Sequence, residues 1–454
     1  MIVANSMAEL IGKTPMVRIN KLVHPGNASL YAKLEFFNPG GSIKDRIGIS
    51  MIDAAEKKGL IKPGDVIVEP TSGNTGMGLA LVARARGYRT IFTMPDKMSK
   101  EKITLLRAFG AKVIVTPTAV SPDNPASYVK VAERIAKETP NAFMPNQYFN
   151  PANPDAHYRT TGPEIWEQTK GKIDVLVAGM GTGGTITGTG RYLKEQNPNI
   201  RIVGADPEGS MFHHEFYGTK GEIHPYKVEG IGEDFMPATL DMKIVDEIIT
   251  VSDKDAFLTS RRLAQEEGIF AGGSSGAATF AALQVAEKAG KDKVIVVIMP
   301  DTGRNYLNKI YSDEWMTEYG FLESKEERIS VDDILKAKSN KVPLISVTPD
   351  EELRVALRLM REHGISQLPV VKGGAQIGSV REISIMKKLS HREASCMQKI
   401  SEVMDEPLPS VNRKDTIMDP FTLLKDKNAV MVLEGGKITN IITTTDVINY
   451  LISR

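Results

Sequence analysis

The clearest fold signal lies in the segment Asp174-Val175-Leu176-Val177-Ala178-Gly179-Met180-Gly181-Thr182-Gly183-Gly184-Thr185. A short β-branched run leads into a loop with four glycines, and a helix is predicted from about Ile186. Backbone N–H groups of such a loop, at the start of a helix, can surround a phosphate group. Similar apolar runs alternate with helical stretches over residues 62–320. This alternation predicts an α/β fold: two lobes, before and after about Asn146, each with a parallel sheet covered on both faces.

Length and composition exclude several classes of protein. A chain of 454 residues suggests about three folding units, or two larger ones. The net charge of +1 gives no general attraction to nucleic acid or to an anionic membrane. No apolar run approaches the ~20 residues of a membrane-spanning helix, and no secretory signal is visible, so we expect a cytoplasmic protein. Because Cys396 is the only cysteine and no metal-binding motif is present, we expect neither a disulfide nor a metal site.

The composition changes after about Tyr319. Residues 323–333 are rich in charge and lack the α/β pattern, which predicts a linker or a connecting helix over residues 321–338. Within residues 339–454 the segment 343–347 recurs 64 residues later as 407–411, and a Gly-Gly pair recurs with it. Each copy is predicted to form a strand, a helix, two strands and a helix. A tandem pair of this size can pack as one pseudo-symmetric module.

A lysine at a predicted helix start is the first candidate catalytic residue. The segment Asn38-Pro39-Gly40-Gly41-Ser42-Ile43-Lys44 predicts a turn and a cap, which places Lys44 at a helix N-terminus. The positive end of the helix dipole disfavours an ammonium and favours a neutral, nucleophilic amine. Taken alone, the pattern is more typical of a solvated lysine in a first helical turn.

A polar loop at the end of a predicted strand is the second candidate site. Glu69-Pro70-Thr71-Ser72-Gly73-Asn74-Thr75-Gly76 supplies hydroxyl and backbone N–H groups that could bind a carboxylate or a phosphate. A well-capped helix is the alternative interpretation, since Ser, Thr and Asn all favour that position.

Two further motifs are each compatible with more than one function. Gly179, Gly181 and Gly184 satisfy G-x-G-x-x-G and Asp206 follows about twenty residues on, as in nicotinamide-binding units. The segment Gly272-Gly273-Ser274-Ser275-Gly276 matches the G-x-S-x-G nucleophile elbow, but a helix rather than a strand is predicted before it. A serine hydroxyl that hydrogen-bonds a ligand atom is the better interpretation of Ser274.

Taken in this order, the motifs resemble those of the fold-type II pyridoxal-phosphate enzymes, specifically the cysteine synthase/cystathionine β-synthase family, over about residues 6–319. The repeat module resembles a tandem CBS (Bateman) pair, and residues 229–235 resemble the bacterial-type cystathionine β-synthase branch. The resemblance implies two three-layer α/β/α lobes, with a smaller mobile lobe at about 42–145 inserted in the larger one of residues 1–320. It implies pyridoxal phosphate as cofactor. Because the sequence has neither the haem-binding N-terminal extension of some relatives nor a cysteine near its N-terminus, we expect no haem.

The resemblance also implies an activity, the β-replacement that condenses L-serine with L-homocysteine to L-cystathionine and water. The alternatives are an O-acetylserine-dependent synthesis of cysteine or cystathionine and, more remotely, an adenylate-sensing Bateman protein on a silent scaffold. A homodimer or larger homo-oligomer is implied as well.

Individual residues acquire roles from the same resemblance. Lys44 would hold the cofactor covalently, Asn74 would contact its ring oxygen and Ser274 its pyridine nitrogen. The phosphate would bind the loop of Gly181, Thr182, Gly183, Gly184 and Thr185. Substrates would meet the side chains or backbone of Thr71, Ser72, Asn74, Thr75, Gln147, Tyr148, Gly230 and Glu233, the last near the amino group of homocysteine.

The repeat module carries one candidate effector site. In a Bateman pair a nucleotide-binding half-site usually has a Thr followed three residues later by Asp, and Thr443 and Asp446 keep this pattern. The first copy has Arg381 and Ser384 instead and is predicted to be degenerate. S-adenosylmethionine is the first candidate ligand, with an adenine nucleotide as an option and a purely structural dimerisation module as the alternative.

Overall fold

The computed structural model describes residues 3–71, 73–96, 98, 100–117, 124–323, 329–338, 344–391, 393–417, 424 and 428–452. The chain divides into two compact units, residues 1–323 and residues 324–454. Among the helices of the described ranges, none has both the length and the apolar character needed to cross a bilayer.

The strands of the first unit form two mostly parallel sheets, which confirms the predicted α/β fold. They are β1 (Met16–Ile19), β2 (Ser29–Leu34), β3 (Val66–Pro70), β4 (Arg89–Pro95), β5 (Lys112–Thr116), β6 (Ala142–Phe143), β7 (Val175–Gly179), β8 (Arg201–Pro207), β9 (Glu247–Val251) and β10 (Val294–Met299). The larger sheet has the order β1-β2-β10-β7-β8-β9, with β1 antiparallel to β2 and the other pairs parallel. The smaller, parallel sheet has the order β5-β4-β3-β6 and lies within the predicted lobe 42–145, whose mobility stays a prediction.

Helices connect these strands. They are α1 (Lys44–Lys57), α2 (Asn74–Arg86), α3 (Lys100–Ala108), α4 (Tyr128–Glu138), α5 (Ala152–Ala156), α6 (Gly162–Gln168), α7 (Gly184–Gln196), α8 (Phe212–Tyr217), α9 (Asp253–Glu267), α10 (Gly273–Lys288) and α11 (Asp313–Glu318). Short 3₁₀ turns occur at Met7–Leu10, Glu35–Phe37, Met242–Ile244 and Gly303–Tyr306, and a π-helical turn at His157–Thr161.

Both faces of the larger sheet are buried, because successive side chains of a strand point to opposite sides. Val175 and Val177 of β7 join one core with α9 and α10. Leu176 and Ala178 join a second core on the other face, with α6 and α7. Burial on both sides explains why the strands of this unit are nearly continuous apolar runs.

The second unit contains the predicted repeat. Its elements are β11 (Ile329–Ser330), α12 (Val331–Ala337), α13 (Leu353–His363), β12 (Gln367–Lys372), β13 (Ala375–Arg381), α14 (Glu382–Ser390), α15 (Ile400–Val403), β14 (Ser410–Asn412), β15 (Thr416–Ile417), β16 (Ala429–Glu434), β17 (Lys437–Thr443) and α16 (Thr444–Ile452). The hairpins β12-β13 and β16-β17 correspond, and each turns through two glycines with positive φ, from 59° to 86°. Such turns require two left-handed residues, which only glycine adopts freely.

Part of the segment predicted as a linker or connecting helix is regular structure of the second unit. Residues 329–337 form β11, which pairs with β15, and α12, whose Val331 and Ile334 are fully buried among residues of β16 and α16. The charged side chains of α12 face solvent, so the high charge of this segment marks an amphipathic helix of the second unit.

Candidate active site

Lys44 is the first residue of α1, as its sequence context predicts. Gly41 has a φ of +81°, and the Ser42 hydroxyl oxygen accepts a 3.2 Å hydrogen bond from the backbone N–H of Lys44. The N–H of Ile43 donates to the carbonyl of Pro300, 2.8 Å away, just beyond β10. These contacts hold the start of α1 against the carboxyl end of the central sheet, where ligands bind in α/β folds.

The surroundings of Lys44 favour its neutral form. Burial lowers the pKa of its amine, while the carboxylates of Glu233 and Asp301 oppose that effect. A neutral amine is the nucleophilic form of lysine.

A narrow cleft joins Lys44 to the glycine-rich loop between β7 and α7. It is lined by Lys44, Gly181, Thr182, Gly183, Thr185 and Gly230, among others. Among the described residues, no backbone N–H from Gly181 to Thr185 has a hydrogen-bond partner. Unpaired N–H groups at the start of a thirteen-residue helix form a site for a phosphate. A side chain at Gly184 would collide with Asn153, so glycine is required for the close packing of the loop against Asn153.

The polar loop before α2 reaches the same cleft because α1 and α2 cross closely. A Cβ at Gly78 would lie 2.5 Å from the carbonyl oxygen of Lys44. The Thr71 hydroxyl accepts hydrogen bonds from the N–H groups of Gly73 and Gly76, at 3.0 and 3.1 Å. The Thr75 hydroxyl donates to Gln147, 2.6 Å away, which brings these two predicted residues together. Ser72 lies outside the described residues.

Asp301 is a residue of this site that the sequence interpretation missed. Its carboxylate accepts hydrogen bonds from Asn74, at 2.8 Å, and from the Tyr306 hydroxyl, at 2.7 Å. A Cβ at Gly272 would lie 2.2 Å from it, so Asp301 connects the Asn74 loop with the loop before α10. Its position directly after an apolar strand is the signal that could have identified it.

Ser274 lies in the first turn of α10 and is 3% exposed. Its hydroxyl has no hydrogen-bond partner among the described residues, although buried hydroxyls normally have one. The helix α9 precedes the loop, as expected, so the arrangement is not a nucleophile elbow. A free hydroxyl at this position can serve a bound ligand.

Glu233 and Tyr148 meet on the side of the cleft near Lys44. The Tyr148 side chain interacts with the Glu233 carboxylate, and burial raises the pKa of Glu233 to about 7 against the influence of Tyr148 and of Lys44. The Tyr148 ring packs edge-on against Phe235, with ring centres 5.1 Å apart. The two predicted substrate residues therefore form one unit.

Glu69 begins the polar loop quoted above, but the sequence interpretation gave it no role. Its buried carboxylate accepts the N–H groups of Asn146, at 2.7 Å, and Gln147, at 3.0 Å. Asn146 has a φ of +53°, so Glu69 holds a strained turn that presents Gln147 to the cleft.

The Thr443 and Asp446 pair of the second unit lies at the junction of β17 and α16. The Thr443 hydroxyl and its backbone N–H each donate to Asp446 at 2.8 Å, and Lys338 donates at 3.1 Å. In the first repeat, Arg381 and Ser384 both bind Asp405, at 3.2 and 2.8 Å. Lys338 was not predicted from sequence, because it lies 105 residues before Thr443.

Comparison with known proteins decides the family. Residues 7–301 match the family of pyridoxal-phosphate-dependent enzymes, and residues 331–391 and 400–453 match the CBS domain. A cystathionine β-synthase of Dictyostelium discoideum is 38% identical over 467 aligned positions, covering 99% of this chain and 93% of the relative. The chain belongs to the cystathionine β-synthase family. The cystathionine β-synthase of Saccharomyces cerevisiae is 37% identical and covers 98% of both chains.

Solved structures agree with this family. An O-acetylserine-dependent cystathionine β-synthase from Helicobacter pylori is 41% identical, with a TM-score of 0.64 over 69% of this chain and all of the other. An O-ureido-L-serine synthase is 40% identical, with the same TM-score over 70% of this chain. The protein is therefore a pyridoxal-phosphate-dependent β-replacement enzyme with tandem CBS domains, and a nicotinamide enzyme or a silent scaffold is excluded.

The site fits pyridoxal phosphate. It offers a buried amine at Lys44, unpaired N–H groups from Gly181 to Thr185 and an unpartnered hydroxyl at Ser274. These groups match an aldehyde, a phosphate and a ring nitrogen, respectively.

Proposed function

We propose that this enzyme joins L-serine to L-homocysteine, giving L-cystathionine and water, as a step of transsulfuration and cysteine biosynthesis. The likeness to relatives named cystathionine β-synthase over nearly the whole chain, tandem CBS domains included, carries this proposal. Lys44 would hold the cofactor, with its phosphate on the N–H groups of residues 181–185, its ring nitrogen at Ser274 and its ring oxygen at Asn74. The bound cofactor withdraws electrons from the Cα atom of an amino acid and so acidifies the proton there.

Lys44 would act as the base of the reaction. Once the amino group of the substrate has replaced Lys44 on the cofactor, the freed amine can accept the proton from the substrate Cα, and burial favours its neutral form. The hydroxyl and amide groups of Thr71, Ser72, Asn74, Thr75 and Gln147 would bind the substrate carboxylate and so orient the Cα–H bond towards Lys44. The hydrogen bond from Thr75 to Gln147 supports a shared role for these two residues.

Glu233 would bind the amino group of the second substrate. Its carboxylate lies near Lys44 and is oriented by Tyr148, so a cation held there would present its thiol inside the cleft. Gly230, with a φ of +85°, would allow the backbone to approach that substrate closely.

An O-acetylserine-dependent reaction is the second candidate function, because the Helicobacter pylori relative described above bears that name at 41% identity. Product analysis by mass spectrometry decides between them, with serine or O-acetylserine supplied together with homocysteine or sulfide. Formation of cystathionine from serine and homocysteine, at a higher kcat/KM than from O-acetylserine, is expected. Turnover of O-acetylserine alone would overturn the proposal in favour of the second candidate.

A matched pair of variants tests the role of Lys44. Lys44→Ala should abolish turnover and the visible absorbance of the lysine-bound cofactor. Lys57→Ala, at the exposed opposite end of α1, should leave both unchanged. Retained absorbance in Lys44→Ala would contradict the covalent role.

We further propose that the second unit binds an adenosyl ligand, with S-adenosylmethionine as the first candidate. The hydrogen-bonded pair of Thr443 and Asp446 supports a site for ribose hydroxyls. Isothermal titration of the full chain with S-adenosylmethionine, AMP and ATP should give heat that Asp446→Asn removes and Ser384→Ala, in the other repeat, preserves. No heat with any of the three would favour a purely structural module.

A homodimer or larger homo-oligomer and a cytoplasmic location remain part of this proposal. Family likeness supports the first, and the charge and composition of the chain support the second.

A further inference from the structure

A helical segment to which no site residue was assigned from sequence lies beneath the glycine-rich loop. The helix α5 continues into the π-helical turn His157–Thr161, and both pack against α7. The approach is close, since a Cβ at Gly188 would lie 2.0 Å from the carbonyl oxygen of Pro154. Single π-helical turns are rare and occur frequently at functional sites.

Asn153 connects this segment to two parts of the site. Its side chain is 1% exposed, and Nδ2 donates to the Thr182 hydroxyl, at 3.1 Å, and to the carbonyl of Gln147, at 2.8 Å. One buried amide therefore holds both the glycine-rich loop and the residue proposed to bind the substrate carboxylate.

His157 makes the corresponding contact one helical turn later. The ring is fully buried, with Nε2 at 3.2 Å from the Thr185 hydroxyl and Nδ1 at 2.9 Å from the Thr161 hydroxyl. Burial, together with the positive charge of Arg46, lowers the pKa of His157 well below its usual value. The ring is therefore neutral, with one nitrogen as donor and the other as acceptor.

We propose that Asn153 and His157 are positioning residues for the cofactor phosphate. Asn153 orients the Thr182 hydroxyl, and His157, protonated at Nε2, donates to Thr185 so that the Thr185 hydroxyl proton points to the phosphate. Thr161 then donates to Nδ1 and selects this tautomer. The inference rests on the proposed phosphate role of residues 181–185, and it is independent of which amino acids react.

Cofactor affinity tests the inference without any measurement of turnover. We measure the dissociation constant of pyridoxal phosphate by reconstituting the apoprotein, and the ³¹P NMR shift of the bound phosphate. His157→Leu removes the donor and should weaken binding about tenfold, the scale of one lost hydrogen bond to a charged group. His157→Gln keeps an N–H near the position of Nε2 and should stay within about threefold of wild type.

Variants of two threonines distinguish a failure of this inference from a failure of the proposed phosphate site. Thr185→Val should weaken binding as much as His157→Leu, and the double variant should be no weaker, because both remove one interaction. Thr189→Val is the control, since Thr189 is buried on α7 and its hydroxyl lacks a partner among the described residues. It should change neither affinity nor the ³¹P shift.

Three results would overturn the inference. They are wild-type affinity in His157→Leu, equal losses in His157→Leu and His157→Gln, or additive losses in the double variant. Unchanged affinity in Thr185→Val would instead contradict the phosphate role of the loop itself. If His157→Leu fails to fold, a ³¹P shift in His157→Gln equal to that of Thr185→Val would count against the inference, and a wild-type shift would support it.

Discussion

Asn74 donates a hydrogen bond of 2.8 Å from Nδ2 to the carboxylate of Asp301, 227 residues later in the chain. The bond fixes the orientation of the Asn74 amide at the start of α2, directly beside the Lys44 cleft. Asp301 also accepts from Tyr306, so a short hydrogen-bonded chain leads from the body of the large sheet to the site.

We therefore expect Asp301→Ala to change the cofactor environment. Without Asp301 the Asn74 amide keeps only the long hydrogen bond from Asn305, at 3.5 Å, and is oriented less firmly. We expect kcat/KM to fall about tenfold or more, with an altered visible spectrum of the holoenzyme. Tyr306→Phe leaves the hydrogen bond between Asn74 and Asp301 in place and should lower kcat/KM less than Asp301→Ala does. Equal losses in the two variants would contradict a role for the Asn74–Asp301 bond.

The raised pKa of Glu233 predicts that binding of the second substrate depends on pH. Burial raises the pKa of Glu233 to about 7, so its carboxylate form grows as pH rises from 6 to 8. The KM for homocysteine should fall over that range, and Glu233→Gln should abolish this fall and raise KM at pH 8. The titratable groups around Glu233 that share its field are Lys44, Tyr128, Tyr148, Tyr226 and Asp234.

A second variant tests the direction in which the pH of this fall in KM moves. The Tyr148 hydroxyl lowers the pKa of Glu233, so Tyr148→Phe should raise that pKa and move the fall in KM to higher pH. Steady-state kinetics between pH 5.5 and 9 measures both shifts. If the KM for homocysteine depended on pH in Glu233→Gln as it does in wild type, the titrating group would be a different residue.

Arg46 should be a strong determinant of stability. Two residues after Lys44, its buried guanidinium forms paired hydrogen bonds with Glu35, at 2.7 and 2.9 Å, and with Glu164, both at 2.8 Å. Arg46→Met leaves the buried carboxylate of Glu35 without its cation, which costs about 3–5 kcal/mol. Arg86→Met removes a half-exposed ion pair with Asp53 and Glu56 and should cost about 0–1 kcal/mol.

The free energy of unfolding of these variants can be measured in the full chain by tryptophan fluorescence. Both tryptophans, Trp166 and Trp315, lie in the first unit, so urea unfolding followed by their fluorescence reports on that unit. Similar midpoints for Arg46→Met and Arg86→Met would show that the Arg46 cluster does not stabilise the unit.

Lys102 and Glu229 should set the geometry between the two sheets of the first unit. Lys102, in α3 beside the small sheet, pairs with Glu229, which precedes the cleft residue Gly230 in the large lobe. Lys309 pairs with the same carboxylate at 2.6 Å, but from within the large lobe. Lys102→Met should therefore raise the KM for the amino-acid substrates about tenfold, the scale of one charge-assisted hydrogen bond, and Lys309→Met should have a smaller effect.

A charge reversal checks that interpretation. In a Lys309→Met background, where a lysine at position 229 meets no second lysine from position 309, the charge reversal Lys102→Glu/Glu229→Lys restores an ion pair between the lobes. It should recover part of the affinity that Lys102→Glu alone loses. Equal effects of Lys102→Met and Lys309→Met, with no recovery on charge reversal, would exclude a connection between the lobes as the cause.

The sequence alone determined the α/β fold, the tandem repeat and the loops that contain Lys44, Asn74, Gly181 and Ser274. Apolar periodicity, helix caps and glycine-rich turns depend on residues a few positions apart, so a single segment displays them in full. The tertiary structure alone decided that Asp301 orients Asn74, that Glu69 holds Gln147 and that His157 lies under Thr185. These contacts join residues from 28 to 227 positions apart and exist only once helices and sheets have packed, so no local pattern encodes them.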